Sequence, residues 1–182
     1  MTSRSQHRVY FSGLDEISTL GPFAFGPLSE GDRRSARSRP SRLDPSSVHA
    51  LRFMPELGFA GPWWSWGGLE TSGEPYVGPL SGEALRSLGL SEQLIADSQS
   101  YIEEFCDLQG LAAAGEGGTP EAESRWNAMC EEGKRIAREG SRQLPEVVIE
   151  VEPEGRFLLD GEVLAEEVGR RRVEAALAAR ER

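Results

Sequence analysis

The chain predicts an α+β or α/β domain: a small sheet of two to four strands packed by two long helices, with a flexible N-terminal arm and a C-terminal helix. Three observations carry that reading. Two stretches, 91–111 and 119–140, repeat apolar residues at helical spacing. Two apolar runs of strand length, VHALRFMPE and EVVIEVE, flank them. The first part of the chain is of a different kind: residues 29–47, SEGDRRSARSRPSRLDPSS, bury too little apolar surface to offset the entropy of ordering them. The expected division is an arm over 1–28, a linker over 29–46, an α/β domain over 47–160 and a helix over 161–182.

In the arm, Val9–Phe11 and Leu20–Leu28 are short apolar patches without helical period. They suit docking onto the domain or anchoring a partner. The domain opens with residues 48–56, whose alternation places Val48, Ala50, Arg52 and Met54 on one side and His49, Leu51 and Phe53 on the other. Next comes the most unusual segment. Five of the chain's fourteen aromatic residues, Phe53, Phe59, Trp63, Trp64 and Trp66, fall within it, interleaved with Gly58, Gly61, Pro55 and Pro62. Each large ring can bury about 150–250 Å², so the segment belongs in a core or on a recognition surface. Its glycines and prolines read as a turn-rich ribbon. PYVGPL, residues 75–80, is expected to return as a strand along the first.

Three helices follow. Ser81 caps a short one closed by Gly89, and Ser91 caps a long one through Leu111. Leu94, Ile95, Tyr101, Ile102, Phe105 and Leu108 form its stripe, from which Glu92, Glu103, Glu104 and Asp107 fall away. Thr119 caps the third, with Pro120 in its first turn and Glu121 and Glu123 near the positive end of its dipole. Trp126, Met129, Cys130, Gly133, Ile136 and Ala137 are its expected inner face, and Gly140 its expected end. Residues 146–152 are a strand with Val147, Ile149 and Val151 on one face, expected to pair in parallel with Val48–Phe53 because a helical connection separates them. Pro153-Glu154-Gly155 turns the chain into RFLLD as a hairpin partner. From Val163 onward a helix with a thin stripe (Leu164, Val168, Ala175) is expected to be loosely packed or open to oligomerisation.

Charge is unevenly spread. The net is −10, yet residues 1–52 carry +3, and residues 53–124 hold Arg86 alone against twelve acids, a net of −11. A face built from that middle segment repels phosphate backbones and attracts basic proteins, which disfavours nucleic acid as a partner. The N-terminus lacks the apolar core of a secretory signal, and no window approaches the length of a membrane span. The expectation is a cytoplasmic protein without a membrane.

Reaction chemistry is hard to find. His7 and His49 are the only histidines, and no Gly-x-Ser-x-Gly elbow or calcium-loop spacing accompanies them. Cys106 and Cys130 lack the close pairing of zinc ligands and read as small apolar residues. The adjacent acids Glu103/Glu104, Glu131/Glu132 and Glu166/Glu167 diverge by about 100° on a helix, so none forms a dyad within itself. No catalytic residue, metal ligand or cofactor is assigned.

The order of motifs is similar to a group of small acidic proteins common in actinobacteria. A Trp-containing glycine loop precedes VGPLSGEALRSLGLSEQLIADSQSYIEEF, then Trp126 and, after three residues, Cys-Glu-Glu-Gly ending at Gly133, then LPEVVIEV. A Leu-Ser-Leu helix start, a W…EG helix and a final strand recur in that group, and the resemblance covers roughly residues 48–152. It implies the fold; no activity and no site residue come with it.

Two functions compete. One is a non-catalytic, acidic protein-binding module, inhibitor- or immunity-like, that recognises a basic protein through Trp63, Trp64, Trp66, Glu92, Glu103, Glu104 and Asp107. The other is a small enzyme or ligand-binding domain with a site near His49 and the Trp63–Trp66 loop.

Overall fold

The computed structural model describes residues 43–59, 61–70, 75–152 and 154–179, all within one compact unit. The arm over 1–28 and the linker up to residue 42 lie outside the described residues.

The unit is a mixed sheet with helices on both faces. Its strands are β1 (Leu43–Asp44), β2 (Ala50–Phe53), β3 (Trp63–Glu70), β4 (Pro75–Pro79), β5 (Val148–Val151), β6 (Arg156–Leu159) and β7 (Glu162–Leu164). The helices are α1 (Gly82–Leu88), α2 (Glu92–Ala113), α3 (Pro120–Gln143) and α4 (Glu166–Ala179). β3 pairs with β4 along one edge, from Trp64 opposite Pro79 to Leu69 opposite Pro75. Its other edge is shared end to end, Leu43 of β1 facing Glu70 and Arg52 of β2 facing Trp64. The order then runs β2, β5, β6, β7. Among the described residues only β2 and β5 are parallel, with Ala50 opposite Val148 and Phe53 opposite Val151, as the helical connection between them requires.

Among the described residues seven strands replace the two to four expected, and the tryptophan ribbon is the main reason. Residues 63–70 are a central strand rather than a series of turns. Flanked on both sides, this backbone satisfies its amides in the ladder, and the glycines are absorbed at a bulge between Trp66 and Gly68. There the Gly68 N–H donates to Ser65 Oγ at 3.0 Å. Consequently residues 75–79 return along β3, not along β2. They form an edge strand, where Pro75 and Pro79 are tolerated because an outer N–H is not needed. The sheet also begins inside the expected linker, at Leu43, which is buried.

Alternation assigns the two faces. Leu51, Phe53, Trp63, Ile149, Val151 and Leu158 join the core made with α2 and α3. Ala50, Val148 and Phe157 point the other way and meet Val173 and Ala176 of α4. The C-terminal helix is therefore a packed third layer, not a loose one. Its buried stripe is Gly169, Val173 and Ala176, while Val168 and Ala175 of the expected stripe are exposed. A Cβ at Gly169 would overlap the Phe157 ring, so this helix approaches the sheet as only glycine permits. The chain also enters it later than expected, because β7 takes residues 162–164.

The caps fall as the sequence predicts. Ser81, Ser91 and Thr119 each accept a hydrogen bond from the first turn of α1, α2 and α3, and Gly89 closes α1 at φ 106°. α3, however, continues through Gly140 to Gln143. Gly140 is there for space: a Cβ would overlap the six-membered ring of Trp63. On the same helix Met129, Gly133, Ile136 and Ala137 are buried as expected, whereas Cys130 and Trp126 are only half-buried. Trp126 meets Phe105 of α2 with ring centres 6.3 Å apart, but at the rim of the helix pair, half-buried rather than buried as expected.

Gly140→Ala tests this arrangement. Helix propensity alone favours alanine by about 1 kcal/mol. The overlap with Trp63 should reverse that sign and destabilise the chain by about 1–3 kcal/mol in urea unfolding. An alanine variant as stable as the parent would show that the helix does not meet the indole there.

Candidate functional site

The expected surface divides once the strands are in place. Trp63 and Trp64 are consecutive in β3 and so face opposite sides of the sheet. Trp63 has 0% exposure and belongs to the core. Its indole N–H donates to Ser98 Oγ at 2.8 Å, and the Ser98 hydroxyl donates to the Leu94 carbonyl at 2.7 Å. It cannot touch a partner, and it leaves the recognition set. Trp64 is half-buried, its N–H donating to the Met54 carbonyl at 3.1 Å and its ring meeting Phe59 edge-on at 4.8 Å. Trp66 pairs with Val77 through the backbone, and its side chain lies outside the described ones.

The acids of α2 do not form one patch either. Glu92 is ion-paired with Arg86 at the start of the helix, about 16 Å along the axis from Glu103 at 1.5 Å per residue. Glu104 receives two hydrogen bonds of 2.8 Å from Arg125, tying α2 to α3. Glu103 and Asp107 are exposed and make no ion pair among the described residues. His49 is exposed just before β2, where its carbonyl accepts the Val148 N–H at 3.1 Å.

What the fold does bring together is the β2–β3 connection and the second half of α2. The Gly58 backbone amide faces the Cys106 sulfur, and Glu103 and Asp107 lie close enough to Cys106 to act on its ionisation. Leu57, next to Gly58, is 39% exposed. Phe59 continues from it to Trp64. Glu56 borders the same loop, and partial burial pushes its carboxyl up. The loop thus wraps the end of the sheet: Leu57 stands out near Glu56, Glu103 and Asp107 on the α2 side, and Phe59 packs on Trp64 on the other. Leu57 and Glu56 escaped the sequence reading because an apolar residue between Glu56 and Gly58 looks the same whether it tucks in or stands out.

Neither cysteine is poised for nucleophilic work. Burial pushes both thiols up; the Gly58 amide offsets this partly at Cys106 and Lys134 partly at Cys130. Among the described residues no three His, Cys, Asp or Glu side chains converge to hold a metal, and no helix is long and apolar enough to cross a membrane. No family model matches the chain, and comparison with curated proteins and with solved structures finds no match.

The raised thiols have a direct consequence. At neutral pH Cys106 and Cys130 should be alkylated by iodoacetamide several-fold more slowly than a free thiol of ordinary pKa, because the thiolate is the reacting species. Rates equal to those of glutathione would contradict their burial. Electrostatics gives a second test. Hydrogen bonds from Arg135 and then Gln93 hold Asp97 below the usual carboxylate range, and Arg125 does the same for Glu104. A depressed folded-state pKa contributes stability that is present above the unfolded value and lost as pH falls through the folded one. Arg135→Gln should therefore move the Asp97 titration upward and bring acid unfolding to a higher pH. Carboxyl NMR shifts across an acid titration would read both, and an unchanged Asp97 midpoint would refute the pairing.

Proposed function

We propose that this protein is a non-catalytic acidic binding module, inhibitor- or immunity-like in character, that docks a basic protein against Leu57, Phe59 and Trp64 and the surrounding Glu56, Glu103 and Asp107. The observation that carries this reading is the position of Leu57, an exposed aliphatic residue on a loop held beside two acids that have no ion-pair partner among the described residues. Interfaces of this kind combine an apolar centre with a charged rim: the centre supplies affinity, the rim the speed and choice of partner. The loop is also well supported. Trp64 binds the Met54 carbonyl and Met54 N–H donates to the Pro62 carbonyl at 2.8 Å, so little ordering entropy remains to be lost on docking. Trp63 acts only from behind, as the core residue on which β3 rests. Glu92 and Glu104 are already paired and take no part.

Affinity capture from the native host at low salt should retain a basic protein, and the purified pair can then be mixed by stopped flow. The double substitution Glu103→Lys with Asp107→Lys should slow association about tenfold or more and flatten its salt dependence. Leu57→Ala should instead act mainly on dissociation, at about tenfold or 1.4 kcal/mol. Capture of nothing at low salt, or kinetics indifferent to both variants, would remove this reading.

A further inference from the structure

A second surface lies at the far edge of the sheet, away from the β2–β3 loop. β7 ends the strand order, so the outer side of Glu162–Leu164 has no strand partner among the described residues. Val163 is opposite Leu158 and is 51% exposed, the most exposed large apolar side chain described. Beside it, Ala137 of α3 and Val151, Leu158 and Val163 of the sheet floor a groove walled by Lys134, Arg138 and Arg156, with Glu154 at one end. Its open volume is about 30 Å³, room for about two water-sized oxygen atoms.

The charge of this groove is opposite to that of the protein. Glu154 contacts Lys134 and Arg156, each at 3.3 Å, and Glu131 engages Lys134 at 2.7 Å from the outer side. Arg138 makes no ion pair among the described residues, although acids outnumber bases in the chain as a whole. An unpaired guanidinium over an apolar floor suits a group that is anionic at its tip and aliphatic behind it. The net charge of −10 does not forbid this, because distant charges are screened beyond about 8 Å at physiological salt while Arg138 acts at contact distance.

Edge and groove together specify the ligand. We propose that they bind the free C-terminus of an extended peptide that ends in an aliphatic residue. The peptide backbone adds to the outer edge of β7, its terminal carboxylate meets Arg138, and its last side chain lies against Val163, the groove residue on that edge strand. Strand addition supplies backbone hydrogen bonds, and alternate side chains supply selectivity. The short length of β7 limits the added strand to a few residues, which favours a chain end over the middle of a segment.

The test uses the full chain and biotinylated octapeptides of Ser, Thr and Val that differ only in the last residue, each made with a free carboxylate and as a C-terminal amide. In biolayer interferometry the Val-, Ile- and Leu-ending acids should bind with Kd below about 1 mM, and their amides about tenfold more weakly. Methylating the peptide's alternate backbone nitrogens should abolish binding, and parent-like binding by the methylated peptide would overturn the strand addition. Arg138→Glu, at an exposed position, should reduce binding of the acids to the level of the amides and leave the melting temperature unchanged. Equal binding of acid and amide, parent-like binding by Arg138→Glu, or no acid bound at about 1 mM would each overturn the proposal. The host-partner capture described above does not bear on this groove, so either surface can fail alone.

Discussion

The fold depends on where the Trp63 indole is placed. It is wholly buried, edge-on to Phe53 with ring centres 4.8 Å apart, and its six-membered ring needs a helix without a Cβ at Gly140. Its one polar atom would be costly to bury unpaired, and Ser98 accepts that hydrogen. One side chain thus joins β3 to α2 through a hydrogen bond, to α3 through close contact and to β2 through its aromatic neighbour. A smaller residue would leave a cavity, and a larger one at Gly140 or Ser98 would have nowhere to go. The register of β3 follows from it, since shifting the strand by one residue would put Trp64 into the core.

That register decides which residues reach solvent. With Trp63 inward, Trp64 is turned to the opposite side of the sheet, where Phe59 closes against it, while Gly58 of the same loop meets Cys106 on the α2 side. The candidate docking surface is therefore a by-product of core packing. Ion pairs between the helices act in the same direction but more weakly. Arg125 bridges to Glu104, and Arg135 joins Asp97 to Glu132. Partly solvated pairs of this kind contribute little each. Their effect here is selective: they consume the paired acids and leave Glu103 and Asp107 available.

At the other edge a different economy operates. β7 has only three residues and Val163 is half exposed, so among the described residues this end of the sheet is not closed by a core. α4 covers the face of Ala50, Val148 and Phe157, with Gly169 letting it lie against the Phe157 ring. Among the described residues no comparable cover lies over Val163 on the other face, beside α3. The molecule consequently presents two unlike surfaces, an acidic loop at one site and a small basic groove at another, within a chain whose total charge suggests only the first.

Local signals in the sequence determined the helices, their caps, the hairpin of β5 with β6 and the parallel pairing of β2 with β5. Each depends on neighbours a few residues apart or, for the last, on connection length, and such information survives in a linear chain. Three features did not. Trp63, Trp64 and Trp66 have the same composition whether they form a strand or a set of turns, and only β2 and β4, supplying hydrogen bonds from both sides, decide for the strand. Gly140 reads as a helix stop until Trp63 occupies the space its side chain would need. The stripe of α4 reads as Leu164, Val168 and Ala175 until the Phe157 ring selects Gly169, Val173 and Ala176. Burial of that kind belongs to pairs distant in sequence, so only the tertiary structure could separate the core tryptophan from the surface one.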